Sequence, residues 1–584
     1  MRGEAEQSSR GDDVRIAKVF SLLAGVVAVL AALYLPSGPP SEPPPPSAEP
    51  AARPPDDVRG TARRQAELVI EEDDRIRTHL RDIPFGSGPY VDRDHGAATA
   101  VLTARTDQYD LESLLSIGAA VRVDEHTVDL TTSVLVAPGA HLVLDAPGIT
   151  LRLRSSATGF TSLVGWKGSL TLVGRPGSPL TVTSWDQGTS AVDREVGNGR
   201  AYIRVTGSTL KTSFTVLSGL GFWSGRTGGV ALTGGDSGPA TGSIADTTIR
   251  GGHYGLFSSG TQRLQITDSI IEDSAADGVL LHRGSVGAAI RSSVVRSSTG
   301  RGVVAGGGSS SVEVRDVAVE DNGGHGIVLD GRPLANNPGP SGASLDGQSG
   351  FRVENCTARS NRGSGILAWD VEEAVVAGNG LTGNAEGVVV RGTSRRVQVQ
   401  GNEITSSARV GIAVRDGATD VAVQRNDISG ASTGIQVRGS RADVRDNEVE
   451  GVTAHGISFQ RAADGSSALR NTLGGSGPSG LDLARLDRGA MVGVSGNSEE
   501  HWEVRLSLGR RLRGFLGDHP LLLLWTLLLT IPVVATLLDR RHRYRRWQKG
   551  PYAMQKSAAV ALDFTAAADA ASGSSTRVSL ARTR

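Results

Sequence analysis

A glycine followed by an aliphatic residue recurs through the middle of the chain at a nearly fixed interval. Successive copies are 22 to 24 residues apart, except for one step of 39 residues. The ten glycines are Gly255, Gly278, Gly302, Gly326, Gly365, Gly387, Gly411, Gly434, Gly456 and Gly480. A fixed period of about 20–50 residues is typical of folds in which each repeat stacks only on its neighbours. The repeat therefore predicts a solenoid.

Short runs within each repeat alternate valine or isoleucine with polar residues. Examples are residues 397–399 (VQV) and 411–414 (GIAV), and Gly or Asn flanks many such runs. Alternation with a period of two predicts strands with one buried face and one exposed face. No run between the glycines has the length and spacing of an amphipathic helix. We therefore predict a parallel β-helix, in which each coil of about 23 residues holds three strands and three corners.

A second series of mostly amide and carboxylate residues keeps step with the glycines. Its members are Asp268, Ser292, Asp316, Asn355, Asn379, Asn402, Asn426, Asn447 and Asn471. Stacked Asn side chains can hydrogen-bond to their copies one strand spacing away. Asn and Gly also tolerate the left-handed conformation that a tight corner needs. The series predicts an amide ladder along one corner of the solenoid.

The 39-residue step contains one insertion, at about Gly331–Gly350. Its Pro, Gly and Asn content predicts a loop that leaves the stack. Insertions in repeat proteins often lie on the binding face.

Composition narrows the possible classes of function. The 61 basic residues balance the 61 acidic ones, which gives no electrostatic support to a general nucleic-acid role. Only five of the basic residues are lysine, a preference that reflects either coding bias or bidentate recognition of anionic groups by arginine. Cys356 is the single cysteine, so the chain has no internal disulfide and no cysteine-based metal site.

Two apolar segments predict that the chain crosses a membrane twice. The first, Val19–Leu35, has 17 uncharged residues, and its flanks favour an uncleaved signal anchor over a cleaved signal peptide. The second, Pro520–Leu538, has 19 uncharged residues and precedes a cluster of Arg and Lys at 540–549. Positive charge favours the cytoplasmic side. We therefore predict a two-pass plasma-membrane protein with both termini cytoplasmic and the β-helix outside.

The remaining segments complete the predicted organisation. Residues 36–58 form a Pro-rich spacer, residues 59–82 form a charged helix that covers the open end of the solenoid, and the tail is disordered. The predicted boundaries are 1–18 for the cytoplasmic N-terminus, 19–35 for the anchor, 36–58 for the linker, 59–118 for the helical capping region, 119–500 for the β-helix, 501–519 for the juxtamembrane segment, 520–538 for the transmembrane helix and 539–584 for the tail.

Several motifs before and within the first coils occur in a recognisable order. They are Ser184-Trp185-Asp186, the run 199–205 (GRAYIRV), His253-Tyr254-Gly255 and Asp277-Gly278-Val279. Together they resemble the periplasmic mannuronan (alginate) C5-epimerases, a family of right-handed parallel β-helices, over residues 120–490. The resemblance implies an acidic polysaccharide as partner and a reaction that needs no cofactor and no metal.

That family removes the proton at C5 of a uronate and returns one to the other face of the sugar. The chemistry needs a base, an acid and a group that neutralises the carboxylate. The family's Asp-Pro-His-Asp motif matches residues 280–283 here (LLHR), which retain the histidine and lack both aspartates. The family's arginine on the following coil has no counterpart within 303–307. If the chain is an enzyme, the resemblance implies His282 as base, Arg283 as neutralising group and Tyr254 as acid.

Five further residues are candidates for binding the polymer. His253 precedes Tyr254, and Asp277 and His325 occupy the position before the repeated glycine. Arg226 lies in a glycine-rich turn, and Trp369 follows the inserted loop's coil. Each also has a structural interpretation, as an exposed corner residue or as packing at the rim.

Two functions remain open at this point. One is a membrane-anchored extracytoplasmic protein that binds or modifies an acidic cell-envelope polysaccharide, as a C5-epimerase (an isomerase) or as a lyase. The other is a non-catalytic glycan-binding or scaffold component that works beside a polysaccharide synthase in an export assembly.

Overall fold

The computed structural model describes residues 56–505 except 82, 84–86, 95–96, 236–237 and 333–348, together with 515, 519, 521, 525, 528–536 and 538–539. The chain divides into one compact unit over Pro44–Arg505 and a second over Met1–Pro43 and Leu506–Arg584. No helix among the described residues is long and apolar enough to span a bilayer. Val19–Leu35, the proline-rich segment 36–55, seven residues of Pro520–Leu538 and the tail 551–584 lie outside the described residues. The membrane topology therefore stays a prediction.

The first unit is a parallel β-helix whose coils repeat three strands, which we assign to sheets A, B and C. Sheet A contains one strand from every coil, and its strands pair in parallel from β2 onward, whereas β1 is antiparallel to β2. Its 16 described strands are β1 Tyr90–Asp92, β2 Thr99–Leu102, β5 Ser133–Val136, β9 Ser162–Trp166, β13 Tyr202–Thr206, β15 Val230–Thr233, β17 Leu256–Ser259, β20 Val279–His282, β23 Val303–Ala305, β26 Ile327–Asp330, β29 Ser364–Trp369, β32 Glu386–Arg391, β35 Val410–Arg415, β38 Thr433–Arg438, β41 His455–Arg461 and β44 Ser479–Leu486.

Sheets B and C are the other two faces of each coil. The strands of sheet B are β6 His141–Asp145, β10 Ser169–Val173, β18 Gln265–Thr267, β21 Ala289–Arg291, β24 Glu313–Arg315, β27 Ser349–Glu354, β30 Glu372–Ala377, β33 Gln398–Gln400, β36 Val421–Gln424, β39 Ala442–Arg445, β42 Ser466–Leu469 and β45 Val492–Ser495. Those of sheet C are β4 Thr127–Leu130, β7 Thr150–Ser156, β11 Leu180–Asp186, β19 Ile270–Glu272, β22 Val294–Arg296, β25 Ala318–Glu320, β28 Thr357–Arg359, β31 Gly380–Thr382, β34 Glu403–Thr405, β37 Asp427–Ser429, β40 Glu448–Val452, β43 Thr472–Gly477 and β46 Ser498–Val504.

A few strands depart from this scheme. The ten-residue strands β14 (Thr209–Ser218) and β16 (Thr241–Arg250) run across the corner from sheet B into sheet C. Three short strands pair antiparallel at the edges: β3 Ala120–Arg122, β8 Gly159–Phe160 and β12 Ala191–Val192. The parallel coils begin with strand β2 at Thr99, about twenty residues before the predicted start at 119.

The core is a set of aliphatic columns inside the coils. In sheet C, for example, Ile271, Val295 and Val319 are in register on consecutive coils and fully buried. The predicted period-two alternation is therefore the inward and outward alternation of these strands. Stacking small aliphatic side chains in this way explains why the chain needs few large aromatic residues.

Glycine is required at the repeated positions because neighbouring coils leave no room for a side chain. A β-carbon at Gly411 would overlap the side chain of Ile428 and the carbonyl oxygen of Gly434 on the next coil. The same glycine-to-glycine approach occurs at Gly278, whose neighbour is Gly302. These glycines have ordinary backbone conformations, so the constraint is close approach of coils and not a left-handed turn.

The amide ladder lies at the corner between sheets B and C, and it is confirmed for Asn379 to Asn471. Each side-chain amide donates to the amide oxygen of the next coil at 2.8–2.9 Å, and Asn497 adds one more step. The first four predicted members belong to a neighbouring row. Asp268, Ser292, Asp316 and Asn355 all have positive φ, between 48° and 54°.

The predicted ladder is wrong by one residue of register at the step between Asn355 and Asn379. Glu354 is in register with Ala377, so Cys356, and not Asn355, lies below Asn379. Cys356 is buried and its backbone N–H donates to the Asn379 side chain at 2.9 Å. A second, shorter ladder of Asn322, Asn361 and Asn384 occupies the corner between sheets C and A, with side-chain bonds of 2.9 and 3.1 Å.

The predicted charged helix is present as α1, Asp56–Arg81. We predicted that it covers the open end of the solenoid, but it lies across the outer face of sheet A. Leu68 and Ile76 pack with Leu135, Val164 and Tyr202 on that face. The first coil is instead filled by the short helix α2, Leu111–Ser116, whose Leu114 is buried in the main core. An apolar patch on the outer face of sheet A explains this position, because burial against that patch stabilises an amphipathic helix.

Many arginines on sheets B and C pair with carboxylates one coil away. On sheet C the column Arg250, Glu272, Arg296, Glu320, Arg359 alternates in sign at every step. Arg296 lies 2.6 Å from Glu272, and Arg359 lies 2.7 Å from Glu320. Much of the arginine content therefore serves pairing between coils.

Candidate functional site

The outer face of sheet A beyond α1 carries three rows of side chains parallel to the solenoid axis. The first row precedes the repeated glycine and contains Asp277, Arg301, His325, Ser364 and Glu386. The middle row is apolar and contains Leu280, Val304, Val328, Leu367, Val389 and Ala413. The third row ends each strand and contains His282, Gly306, Asp330, Trp369, Arg391, Arg415 and Arg438. An apolar strip between two rows of mainly polar residues can contact both the apolar faces and the charged groups of a ligand, and we call this surface the groove.

Asp277 holds Arg301 of the following coil in a two-pronged ion pair. The guanidinium donates from Nε to Oδ1 at 3.0 Å and from Nη2 to Oδ2 at 2.7 Å, and the Arg301 backbone N–H donates to Oδ1 at 2.8 Å. Asp277 is 6% exposed. Burial opposes the charge of Arg301, but hydrogen bonds and attraction from Asp277 outweigh it and raise the arginine pKa. The pair fixes a permanently charged donor at the edge of the groove.

His325 lies next to Arg301 in the same row. Its Nδ1 accepts a hydrogen bond from the backbone N–H of Ser364 at 2.9 Å, which places the ring proton on Nε2. Burial, and then the neighbouring Arg301, lower the pKa of His325. The side chain is therefore a neutral donor toward the groove at neutral pH.

His282 lies at the end of β20, at the start of a gap in the third row. The register neighbour of His282 on the next coil is Gly306, and Asp330 follows one coil further. Strands are about 4.8 Å apart, so the backbones of His282 and Asp330 are about 10 Å apart with no side chain between them. Burial and Arg283 lower the pKa of His282, and Asp330 opposes that shift. The carboxylate of Asp330, two coils away, thus acts to raise the pKa of His282.

Tyr254 and His282 both lie close to the ring of Phe257. The ring centroid of Phe257 is 5.9 Å from that of Tyr254 and 6.3 Å from that of His282. Burial, and then the charge of Asp277, raise the pKa of the Tyr254 hydroxyl. A protonated phenol and a neutral imidazole therefore lie near one apolar ring, and these are the groups that acid and base chemistry requires.

Arg283 and Arg226 occupy different surroundings. Arg283 follows the end of β20 with a φ of 44° and is exposed. Arg226 lies in a 3-10 turn, Gly225–Thr227, and its Nη1 is 2.6 Å from Asp73 of α1. Asp73 also pairs with Arg204 at 2.8 Å. Arg226 therefore fastens its loop to α1, whereas Arg283 is open to solvent.

His253 is supported by a buried arginine. Arg200 is 5% exposed, and its guanidinium donates to the carbonyl oxygens of Gly221 at 2.6 Å and Gly251 at 2.9 Å. Burial lowers the pKa of Arg200 to about 10. Burial, and then the charge of Arg200, lower the pKa of His253. The GRAYIR motif thus supplies the guanidinium that ties the neighbouring turns together.

Both faces of Trp369 are occupied by guanidinium groups. Arg332 lies 3.8 Å and Arg391 lies 4.4 Å from the ring centroid. Arg332 is itself bound to both oxygens of Asp330. Stacked cations of this kind orient their N–H donors outward. Trp369 therefore serves as a support for two arginines and does not offer a free face to a sugar.

Three arginines are stacked in register further along the third row. Arg391, Arg415 and Arg438 follow one another on β32, β35 and β38. Asp416 lies 3.1 Å from Arg391, and the buried Glu386 lies 2.5 Å from Arg415. Like charges directly opposite each other on neighbouring strands are destabilising. This column repeats the same charge on successive strands, whereas the column on sheet C alternates between arginine and glutamate.

Sequence reasoning missed Arg301 and Asp330. An arginine was expected within 303–307, but the arginine of the following coil is Arg301, in the first row. Asp330 is 48 residues from His282 and has no sequence signal that links them. The described residues contain no group of three or more His, Cys, Asp or Glu side chains that could hold a metal ion.

The stacked coils and the groove on sheet A define a β-helix protein. The family model described as a right-handed β-helix region matches residues 202–338 and 341–496, half of the sequence. The chain belongs to this right-handed β-helix family. Comparison with curated proteins gives no significant match.

Solved structures with the same kind of fold are distant. A mutant of the periplasmic alginate epimerase AlgG is 15% identical, with a TM-score of 0.48 over 70% of this chain and 86% of that chain. The A-module of a mannuronan C-5 epimerase from Azotobacter vinelandii is 15% identical, with a TM-score of 0.35 over 64% of this chain and 91% of that chain. The catalytic unit of an α-1,3-glucanase from Streptomyces thermodiastaticus is 11% identical, with a TM-score of 0.34 over 61% and 64% of the two chains. At these values the matches do not bear on the activity of this chain.

Proposed function

We propose that this protein binds an acidic polysaccharide along the outer face of sheet A. The observation that carries the proposal is the column of like charges formed by Arg391, Arg415 and Arg438. Asp416 pairs with Arg391 and Glu386 pairs with Arg415, but the stacked guanidinium groups still repel one another. A polymer with one anionic group per sugar reduces that repulsion. The apolar middle row provides a surface for the sugar rings. A membrane-anchored, extracytoplasmic position beside a synthase or export assembly fits this role and belongs to the proposal.

The binding test uses the full chain in detergent with alginate, polygalacturonate and neutral dextran. We expect binding of the two polyuronates and none of dextran, with affinity that falls as salt rises. Arg438→Gln is expected to weaken polyuronate binding about tenfold, the loss of one charge-assisted hydrogen bond.

The matched control is Arg359→Gln, which removes an arginine of the alternating column on sheet C. Polyuronate affinity should stay within about twofold, because its charge faces Glu320 and not the groove. Equal binding of dextran and polyuronate, or equal loss in both variants, contradicts the proposal.

Proton abstraction at C5 of a uronate is a second candidate function, supported by the arrangement around Phe257. Tyr254 and His282 both lie close to that ring, and Arg301, held by Asp277, lies close enough to Tyr254 to influence its pKa. In this scheme His282 removes the C5 proton as a base, Arg301 or Arg283 neutralises the sugar carboxylate, and the Tyr254 hydroxyl returns a proton to the opposite face. Elimination after the first step makes the same site a lyase.

Deuterium exchange separates this candidate from binding alone. Incubation of polyuronates with the protein in deuterated water should place deuterium at C5, and His282→Gln should abolish the exchange while polymer binding persists. Because the pKa of His282 lies below its ordinary 6.5, exchange should persist at neutral pH and fall only in more acidic solution, where the ring becomes protonated. Binding without any exchange identifies a non-catalytic glycan-binding protein.

A further inference from the structure

The loop of residues 219–229, here the Trp223 loop, lies between α1 and the candidate site. Phe222 is fully buried with Leu68 of α1 and with Phe160. Three residues later, a β-carbon on Gly225 would overlap the ring of Phe257, so the loop backbone rests on that ring. The Trp223 loop is therefore a wall of the groove on its N-terminal side.

Trp223 has an unusual backbone conformation at the tip of this loop. Its φ is 50°, a region that many corner residues of the solenoid share but that, among the described Phe, Tyr and Trp residues, only Trp223 and Phe214 adopt. The backbone N–H of Ser224 donates to the carbonyl oxygen of Phe222 at 2.7 Å, which closes a three-residue turn around Trp223. Turns of this kind with positive φ are rare and strained.

The surroundings hold the strained turn in place. The backbone N–H of Phe222 donates to the carbonyl oxygen of Thr227 at 2.7 Å, and Arg226 ties the loop to Asp73. The side chain of His253 lies close enough to the backbone of Trp223 for that backbone to oppose the lowering of the histidine pKa. Glycine would satisfy this backbone without strain, yet the position carries the largest side chain, and that side chain is 43% exposed.

A strained conformation that is maintained by its surroundings points to function. We infer that Trp223 is a sugar-binding platform of this groove, which stacks its indole on a ring of the acidic polysaccharide. The inference rests on the proposed function and adds a contact that does not depend on charge. It also assigns stacking to Trp223, because both faces of Trp369 are already occupied by Arg332 and Arg391.

The test compares Trp223→Gly, Trp223→Phe and a control, Trp185→Ala, as full chains that bind alginate or polygalacturonate. Trp223→Gly relieves the backbone strain, so its Tm should equal or exceed that of the wild type, while its affinity should fall about tenfold. That loss should be similar at low and high salt, in contrast to the loss caused by Arg438→Gln. Trp223→Phe should keep most of the affinity. Trp185 stacks on Arg152 away from sheet A, and its replacement should leave binding unchanged.

The affinities and thermal stabilities of these variants separate a failure of the Trp223 platform from a failure of the proposed function. If the wild type binds and Trp223→Gly binds within twofold of it, the platform is refuted and the proposed function stands. If Trp223→Gly loses both affinity and thermal stability, Trp223 has a structural role and the inference is wrong. If the wild type binds neither polyuronate, the proposed function and the inference both fall.

Discussion

Asn402→Ala is expected to lower the free energy of unfolding by about 3–5 kcal/mol, since it removes one buried step of the amide ladder. The Asn402 amide donates to Val376 at 3.0 Å and to Asn426 at 2.9 Å. Its oxygen accepts from the backbone and side chain of Asn379 at 3.0 and 2.9 Å. Alanine leaves these groups buried without partners, and each such group costs about 1–3 kcal/mol. Denaturant unfolding followed by circular dichroism measures the change.

Thr405→Ala is the matched control on the same coil. Thr405 also bonds to its copy on the neighbouring coil, with 2.9 Å to the Thr382 hydroxyl, but that contact is open to water. We expect a loss below about 0.5 kcal/mol, as for most surface substitutions. A similar small loss for Asn402→Ala would show that water replaces the amide and that the ladder contributes little.

Glu72→Ala is expected to destabilise the contact between α1 and sheet A by about 3–5 kcal/mol. Glu72 and Arg75 form a buried ion pair with an Nη2 to Oε2 distance of 2.8 Å, and Tyr202 donates to Glu72 at 2.6 Å. Alanine leaves the Arg75 charge buried without its partner. Limited proteolysis should then cleave α1 faster, and the thermal transition should fall.

A control variant and the pH dependence of stability both test the role of the Glu72–Arg75 pair. Glu71→Ala removes an exposed pair with Arg64 and should cost at most about 1 kcal/mol. Burial raises the pKa of Glu72, but attraction and hydrogen bonds from Arg75 outweigh it and lower the pKa below 4.5. The stabilisation is therefore present above pH 4.5 and is lost as pH falls through the lower, folded-state value. Unchanged proteolysis of α1 in Glu72→Ala would show that the apolar contacts of Leu68 and Ile76 suffice.

The period of the glycines was enough to predict the coil, its three strands and its size, because coil-to-coil contacts impose one spacing on the whole chain. Details that depend on a single residue of register were harder. The ladder slipped between Asn355 and Asn379, since a step of 24 residues is as plausible in sequence as the actual 23. The position of α1 was wrong for a related reason, because its partners on sheet A come from three separate coils.

The candidate site was predicted only in part. Tyr254, Asp277, His282 and His325 were found because each adjoins a repeated glycine or a motif. Arg301 and Asp330 were missed because their relation to these residues exists only across coils. The contrast between Arg391 and Arg296 was also hidden in the sequence. Only the register shows that Arg391 has Arg415 as its neighbour on the next strand, whereas Arg296 has a glutamate on both sides.

The alternating column on sheet C also has a consequence for how the chain assembles. If one coil were skipped during folding, the two coils that flank it would meet with like charges: Arg250 against Arg296, or Glu272 against Glu320. A skip of two coils would restore opposite charges. The amide ladder cannot make this distinction, because each of its steps is identical. The alternating charges on sheet C therefore disfavour a misfolded state in which one coil is skipped, because that state places like charges on neighbouring strands.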